Sequence, residues 1–343
     1  IKIEIEKKKP VGYLDIHNND LIIVDGKGKI FYEKLKNVYS KNINFKNIET
    51  NIKEKFNIKN LDIQKLLITD IFIKKDLLFI SYAFKFSEKC VSPGIIYGVL
   101  NYKNIEFKNL YKTDQCSNPK KNPNILYASK GGRIKSLNDK IYFTVGDYSS
   151  GLSMDMKSIF GKILEIDLNT KEYKIFSSGH RNPQGLEIFL QNGNKILLST
   201  EHGPQGGDEI NNIKFNKNYG WPISSYGEHY IFKSGDNFKL KKNHIDYGYE
   251  EPIFSFTPSI GISEIIKVPK NFSKYWEESF LITSLNGRTI YRALFDENFN
   301  NIKNIEKIYL GQRMRDIAYD SLNDSFVILL EDIPSLAILN SLN

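Results

Sequence analysis

Short runs in which apolar and polar residues alternate recur along the chain, each broken by a polar turn and followed by a second run. The clearest are GYLDIHNNDLIIVD from Gly12, TDIFIKKDLLFISYAF from Thr69, GGRIKSLNDKIYFTVGD from Gly131, GLEIFLQNGNKILLSTEHG from Gly185 and RDIAYDSLNDSFVILLED from Arg315. A sixth, ISEIIKVPKNFSKYWEESFLITSL from Ile262, has the same form with a longer turn. A period of two puts one face of each run against a core, and Asn, Asp, Gly or Lys between two such runs is hairpin chemistry. Six units over 343 residues leave about 57 residues apiece, which suits a four-stranded blade with its loops better than a βαβ unit. The pattern predicts an all-β fold, a six-bladed propeller of four-stranded antiparallel blades. Helical periodicity is confined to residues 50–63 and 271–278.

A ring of blades must close or leave unpaired edges. Ile1-Lys2-Ile3-Glu4-Ile5-Glu6 alternates cleanly, while the last unit, residues 315–342, has room for about three strands. The N-terminal strand is therefore expected to complete the last blade. No Pro/Gly/Ser tract divides the chain, so residues 1–343 are expected to form one domain.

Composition narrows the picture. Hydrophobic residues are 41% of the chain, with 20 Tyr and 22 Phe against 2 Trp, suiting aromatics that fill spaces between packed sheets. The net charge of +8 comes from scattered lysines, at positions 7 to 9, 74, 75, 120, 121, 241 and 242, and forms no single stripe. Scattered lysines read as solvated faces and blunted sheet edges, so no nucleic-acid partner is expected. No apolar run approaches the roughly 20 residues a membrane span needs. The chain opens on Ile1, which leaves room for a preceding segment. Cys90 and Cys116 each end a strand-like run: paired across adjacent strands they imply an oxidising compartment, and as free thiols a cytosolic one. Dinucleotide, Walker, zincin and serine-hydrolase motifs are missing.

The most informative stretch is SGHRNPQGLEIFLQNGNKILLSTEHGPQGGDEINNIKFNKNYGWPISSYGEHY, residues 178–230. It resembles the signature of the soluble PQQ-dependent glucose/sorbosone (aldose sugar) dehydrogenases. GGRI at Gly131, TVGD at Thr144, GKILEID at Gly161, TPSI at Thr257 and RMRD at Arg313 follow in that family's order. The resemblance covers about residues 131–332, and the first third shares the blade rhythm alone. It implies a propeller with PQQ over its central channel, accepting a hydride from the C1 of an aldose. Arg181 and Asn182 then match the pair near the reactive quinone oxygens, where a guanidinium stabilises developing negative charge. Arg313 and Arg315, two apart in a strand, share a face and reach one anionic ligand. Calcium is the second implied cofactor, bound by the carbonyls of the Gly203–Pro204 turn, with Asp208, Glu209 and Tyr219 as outer candidates.

The sequence departs from the family pattern at two places. The family's general-base His falls on Ser129, and a serine hydroxyl accepts no proton at neutral pH without its own base. The Lys of the fifth-blade turn falls on Asn286, with Arg288 two residues later as a replacement cation. Lys130, beside the vacant base position, is a second substitute, either as a cation or with a lowered pKa. His202 is the best substitute base among the histidines. His180 and His229 offer no evident rescue, and His17 and His244 lie in ordinary turn-like contexts. The sequence thus predicts a PQQ- and calcium-dependent aldose dehydrogenase-like propeller taking a sugar or other small polar ligand, in the periplasm or outside the cell. Its alternative is a propeller without catalysis that serves as a carbohydrate-binding or assembly module, on a surface or within a larger complex.

Overall fold

A computed structural model describes residues 12–62, 64–118, 129–229 and 239–341. Six inner strands stand side by side around an axis: Gly12–His17, Leu66–Lys74, Gly131–Leu137, Pro183–Gln191, Ile262–Lys267 and Met314–Asp320. The sixth lies against the first and closes the ring. Each begins an antiparallel sheet that runs outward, giving a six-bladed β-propeller. These strands start at or within three residues of the units read from the alternation, because a hairpin whose two runs share one apolar face has a single workable register.

The last blade contains three described strands, Met314–Asp320, Ser325–Leu330 and Ser335–Asn340. The N-terminal strand expected to complete it lies outside the described residues. Two short parallel additions stitch blades together at the rim. Asn104–Ile105 pairs with Lys46–Thr50, and Lys217–Asn218 pairs with Tyr173–Ser178. Helix is scarcer than the periodicity predicts. Residues 50–63 yield only Ile52–Lys55, where Asn57 takes a positive φ of 50° and the chain turns away. Residues 271–278 form turns around the buried Phe272. Leu35–Tyr39, without a predicted signal, forms one further helical turn that buries Leu35 and Val38.

Apolar side chains fill the wedges between neighbouring blades. Tyr13, Val24, Ile68 and Ile80 join the first two; Phe79, Ala83, Ile134 and Phe143 join the next pair. Leu14, Leu21, Val327 and Leu329 seal the sixth against the first. Full burial of such a side chain contributes about 1.5–3 kcal/mol. Cys90 and Cys116 form a disulfide where Val91 and Ser117 pair antiparallel beside it, so the bonded alternative is the one the fold adopts.

The axis itself is polar. Arg133, on the third inner strand, is buried, and its Nη1 lies 2.9 Å from Asp70, 2.8 Å from Glu264 and 2.8 Å from Asp316. Its Nε donates to the Gln184 carbonyl, its Nη2 to the Arg315 carbonyl at 3.0 Å, and its face lies 5.1 Å from the Tyr13 ring. One guanidinium therefore touches every other blade. Close approach makes this possible: a Cβ on Gly132, whose φ is +117°, would meet Thr69 of the second blade at 2.3 Å.

Further carboxyls line the channel. Burial pushes Asp15 up to about 6 and Glu187 up to about 7, with Lys135 opposing both. Groups raised in the folded state stabilise it fully below their ordinary values near 4, and that stability is lost as pH rises through 6 and 7. Glu187→Gln removes this dependence. In urea titrations between pH 4 and pH 8, the gap between wild type and Glu187→Gln should move in the variant's favour by about 2–3 kcal/mol. A gap that stays constant over that range contradicts the buried neutral carboxyl.

Candidate functional site

The loops that lead into the third, fourth and sixth inner strands meet at one end of the channel. Ser129 and Lys130 precede the third strand, with Ser129 at φ +45° and the Lys130 carbonyl accepting from Gly146 N at 3.0 Å. Gly131 N donates to Asn182 Oδ1 at 3.1 Å, and the same oxygen accepts from Gln184 Nε2 at 3.0 Å. Gln184 Oε1 in turn lies 3.3 Å from Arg315 Nη1. Side chains of the fourth and sixth blades and backbone of the third are thus joined in a single relay.

Glu201 builds the turn that carries Arg181 and Asn182. One carboxylate oxygen accepts from the backbone N–H groups of both residues, and the other accepts from His180 Nδ1 at 3.0 Å. His180 is fully buried, bonded to Ser177 and stacked on Tyr219 at 4.8 Å, so it is scaffold. The Arg181 guanidinium sits 5.2 Å over the Trp221 ring, and Trp221 Nε1 donates to Asp147. Arg181 Nη1 also donates to the carbonyls of His202 at 2.9 Å and Gly203 at 2.6 Å.

Arg313 and Arg315 do share a face and one anion, and that anion is Glu331. Arg315 Nε lies 2.6 Å from one of its oxygens and Arg313 Nε 3.3 Å from the other. Burial alone would raise the Glu331 carboxyl, but the two guanidiniums outweigh it and hold it below its ordinary value. Arg288 lies at the rim, half-exposed, 3.3 Å from Asp332, whose carboxylate also accepts from Arg313 N. Asn286 is exposed beside it.

Lys130 is 8% exposed. Burial, and secondly Arg315, push its ammonium down to about 7. Burial likewise pushes the partly buried His202 down to about 4, with Arg181, Arg315 and Lys130 all acting against the opposing pull of Asp208. These mutual effects mark Lys130, Arg181, Arg315 and His202 as electrostatic neighbours. Among the described residues, Glu331 is the carboxylate in direct contact with that group, which leaves surplus positive charge there.

The remaining metal candidates have other duties. Asp208, fully buried, accepts from Gly203 N at 3.1 Å, Ile260 N at 3.0 Å, Ile262 N at 2.9 Å and the Ser259 hydroxyl. Tyr219 donates its hydroxyl to the Asn212 carbonyl and accepts from Lys214 N. Glu209 is buried, and burial and Glu201 raise its carboxyl well above the ordinary value. His244, an ordinary turn residue by sequence, is buried 3.6 Å from Glu209 and stacked on Tyr226. Among the described residues, no group of three or more His, Cys, Asp or Glu is placed to hold a metal ion. Sequence reasoning missed Gln184, Glu201, Trp221 and Glu331. The first three stood inside the quoted motif, and Glu331 carried no signal because its partners come from a neighbouring strand.

The glucose / sorbosone dehydrogenase family model matches residues 9–339. The chain is 31% identical over 161 residues to the aldose sugar dehydrogenase YliI of Escherichia coli strain K12; that stretch is 46% of this chain and 41% of the relative. The chain thus spans about two fifths of the length of that curated relative. Its fold is similar to the soluble aldose sugar dehydrogenase of Escherichia coli in the apo form, with a TM-score of 0.76 and 18% identity over 96% of this chain and 95% of that one. It is also similar to the PQQ-bound aldose sugar dehydrogenase of Streptomyces coelicolor, with a TM-score of 0.68 and 17% identity over 99% of this chain and 95% of that one.

Asp208 anchors the 202–207 loop and the entry to the fifth blade. Asp208→Ala strands several buried N–H groups and should lower unfolding stability by about 3–5 kcal/mol. Calcium titrated in thermal melts should stabilise neither wild type nor variant. Calcium that stabilises wild type but not Asp208→Ala would identify Asp208 as a metal ligand.

Proposed function

Because the chain belongs to the glucose/sorbosone dehydrogenase family, we propose that it is a PQQ-dependent aldose sugar dehydrogenase-like propeller that oxidises a sugar C1 hydroxyl by hydride transfer to PQQ. The observation that carries this reading is the mutual electrostatic influence of Lys130, Arg181, Arg315 and His202, with Glu331, among the described residues, the carboxylate paired with Arg315. PQQ when bound supplies the two-electron acceptor for the sugar hydride. The residues fit such a group. A planar polycarboxylate wants guanidinium and ammonium donors, and the Lys130 ammonium has no hydrogen-bond partner among the described residues. Arg181, backed by Trp221, would face the oxygen on which negative charge develops.

Calcium does not fit. The Gly203 carbonyl accepts from Arg181, and every Asp208 oxygen already accepts from the protein. No step is routed through it.

The proton of the sugar hydroxyl needs an acceptor. Ser129 supplies none, and His202, held down to about 4, is neutral but a weak base. Slow turnover follows. Ser129 sits at φ +45°, a left-handed conformation that His adopts more readily than most residues. The Cys90–Cys116 disulfide supports a periplasmic or extracellular location. The vacant base position also favours a second reading, a carbohydrate-binding or assembly module without turnover.

The test is dye reduction with PQQ and an aldose panel. Wild type should turn over slowly, Arg181→Ala should not, and Ser129→His should be about 10²–10⁴-fold faster than wild type. PQQ binding without turnover in either wild type or Ser129→His favours the module, and failure to bind PQQ overturns the enzyme reading.

A further inference from the structure

Glu201 and Glu209 lie directly opposite each other on the paired strands Asn194–Glu201 and Asp208–Asn212, and both are buried. Glu201 is committed to His180 and to the N–H groups of Arg181 and Asn182. Glu209 accepts from Asn211 Nδ2 at 3.2 Å, and the basic group beside it, among the described residues, is His244, with Nε2 3.6 Å from Oε1. Two adjacent buried carboxyls need compensation by a cation or by protons.

The surroundings of His244 are those of a cation. The ring is buried and stacked on Tyr226 with 13° between the planes, which holds it in place. Neither ring nitrogen makes a hydrogen bond, and Asn211 Oδ1 and Ser224 Oγ are buried without a partner as well. A Cβ on Gly220 would meet Ser224 Cβ at 2.8 Å and His244 Nδ1 at 3.3 Å, so Nδ1 lies against the turn that follows Tyr219 while Nε2 lies toward Glu209. Burial lowers the imidazole, whereas Glu251, the Tyr219 backbone, Glu201 and the Glu250 backbone all favour its charged form. Carboxylates and carbonyls around one centre are oxygen donors of the kind a hard cation takes. Glu209 and Tyr219 are also two of the positions that the family resemblance offers to calcium, and here an imidazole lies against both.

We propose that His244 is a built-in replacement for an ion: its imidazole fills the place between Glu209 and the Tyr219 turn and makes the fold independent of a divalent cation there. With one proton held between them, Glu209 and His244 are net neutral, and Glu201 keeps its charge for the turn that carries Arg181 and Asn182. The inference goes beyond the proposed function and needs neither PQQ nor turnover, so its failure and the failure of that reading are separate results.

The experiment is a set of thermal melts without PQQ, on wild type and on His244→Ala, His244→Gln, Glu209→Gln and the Glu209→Gln/His244→Gln double variant, each with EDTA, with calcium chloride and with imidazole. Wild type should melt at one temperature under all three conditions and should carry no stoichiometric metal by elemental analysis. His244→Gln, which keeps most of the volume and loses the basic group, should melt about 5–10 °C lower. In the Glu209→Gln background the same change should lose most of that cost, because the partner of His244 is already neutral. His244→Ala opens the place, and both imidazole and calcium should raise its melting temperature saturably, calcium doing so for this variant and not for wild type. A wild type that is destabilised by EDTA or carries bound metal overturns the proposal, and this arm needs no variant to fold. A His244→Gln cost that is absent, or equal in the two backgrounds, reduces His244 to packing and overturns it too. So does a folded His244→Ala that neither imidazole nor calcium stabilises.

Discussion

The ring depends on one buried guanidinium. Arg133 holds Asp70, Glu264 and Asp316 at once, donates to the Gln184 and Arg315 carbonyls, and lies against Tyr13. Three carboxyls around one cation cannot all be ionised cheaply in a buried site, and burial accordingly raises Asp70 and Asp316 above their ordinary values. A neutral acid can donate as well as accept, so the cluster satisfies itself without importing an ion. Apolar wedges attach each blade to the next, and Arg133 is the point at which all six are held to one axis.

That constraint bears on chemistry at the mouth. The channel neutralises its own charge, with Lys135 held charged by Glu187 and Glu264 despite burial. Arg315 takes part in both regions: its carbonyl serves Arg133, and its guanidinium turns outward to Glu331 and Gln184. Asn182 and Gln184 extend the connection to the third blade. The cations proposed to face a ligand therefore stand on a connected polar core, which a site for a planar anion requires.

The six blades were legible because hairpin register follows from alternation and turn residues alone. The inner strands from Gly12, Gly131 and Ile262 begin at the residues that open those runs. The short helix Leu35–Tyr39 was not, since it is stabilised by burying Leu35 and Val38 against the first and sixth blades. Arg181 and Asn182 stood in one contiguous motif and Arg315 in a second, and Gln184 links Asn182 to Arg315. Glu331 and the state of Lys130 could not. Glu331 meets Arg313 and Arg315 only once two neighbouring strands pair, and the state of Lys130 depends on burial and on Arg315, far away in sequence, which local pattern does not encode. Asp208 is the instructive case: its residue type suits a metal, but its oxygens are taken by the N–H groups of Gly203, Ile260 and Ile262.

The most direct measurement is a crystal structure of the protein soaked with PQQ. Density should lie over the end of the channel against Lys130, Arg181 and Arg315, while Arg133 keeps its contacts to Asp70, Glu264 and Asp316. Density elsewhere, or an Arg133 drawn out of its carboxylate cluster to meet the ligand, would contradict a mouth whose charge is free because the axis beneath it is already neutral.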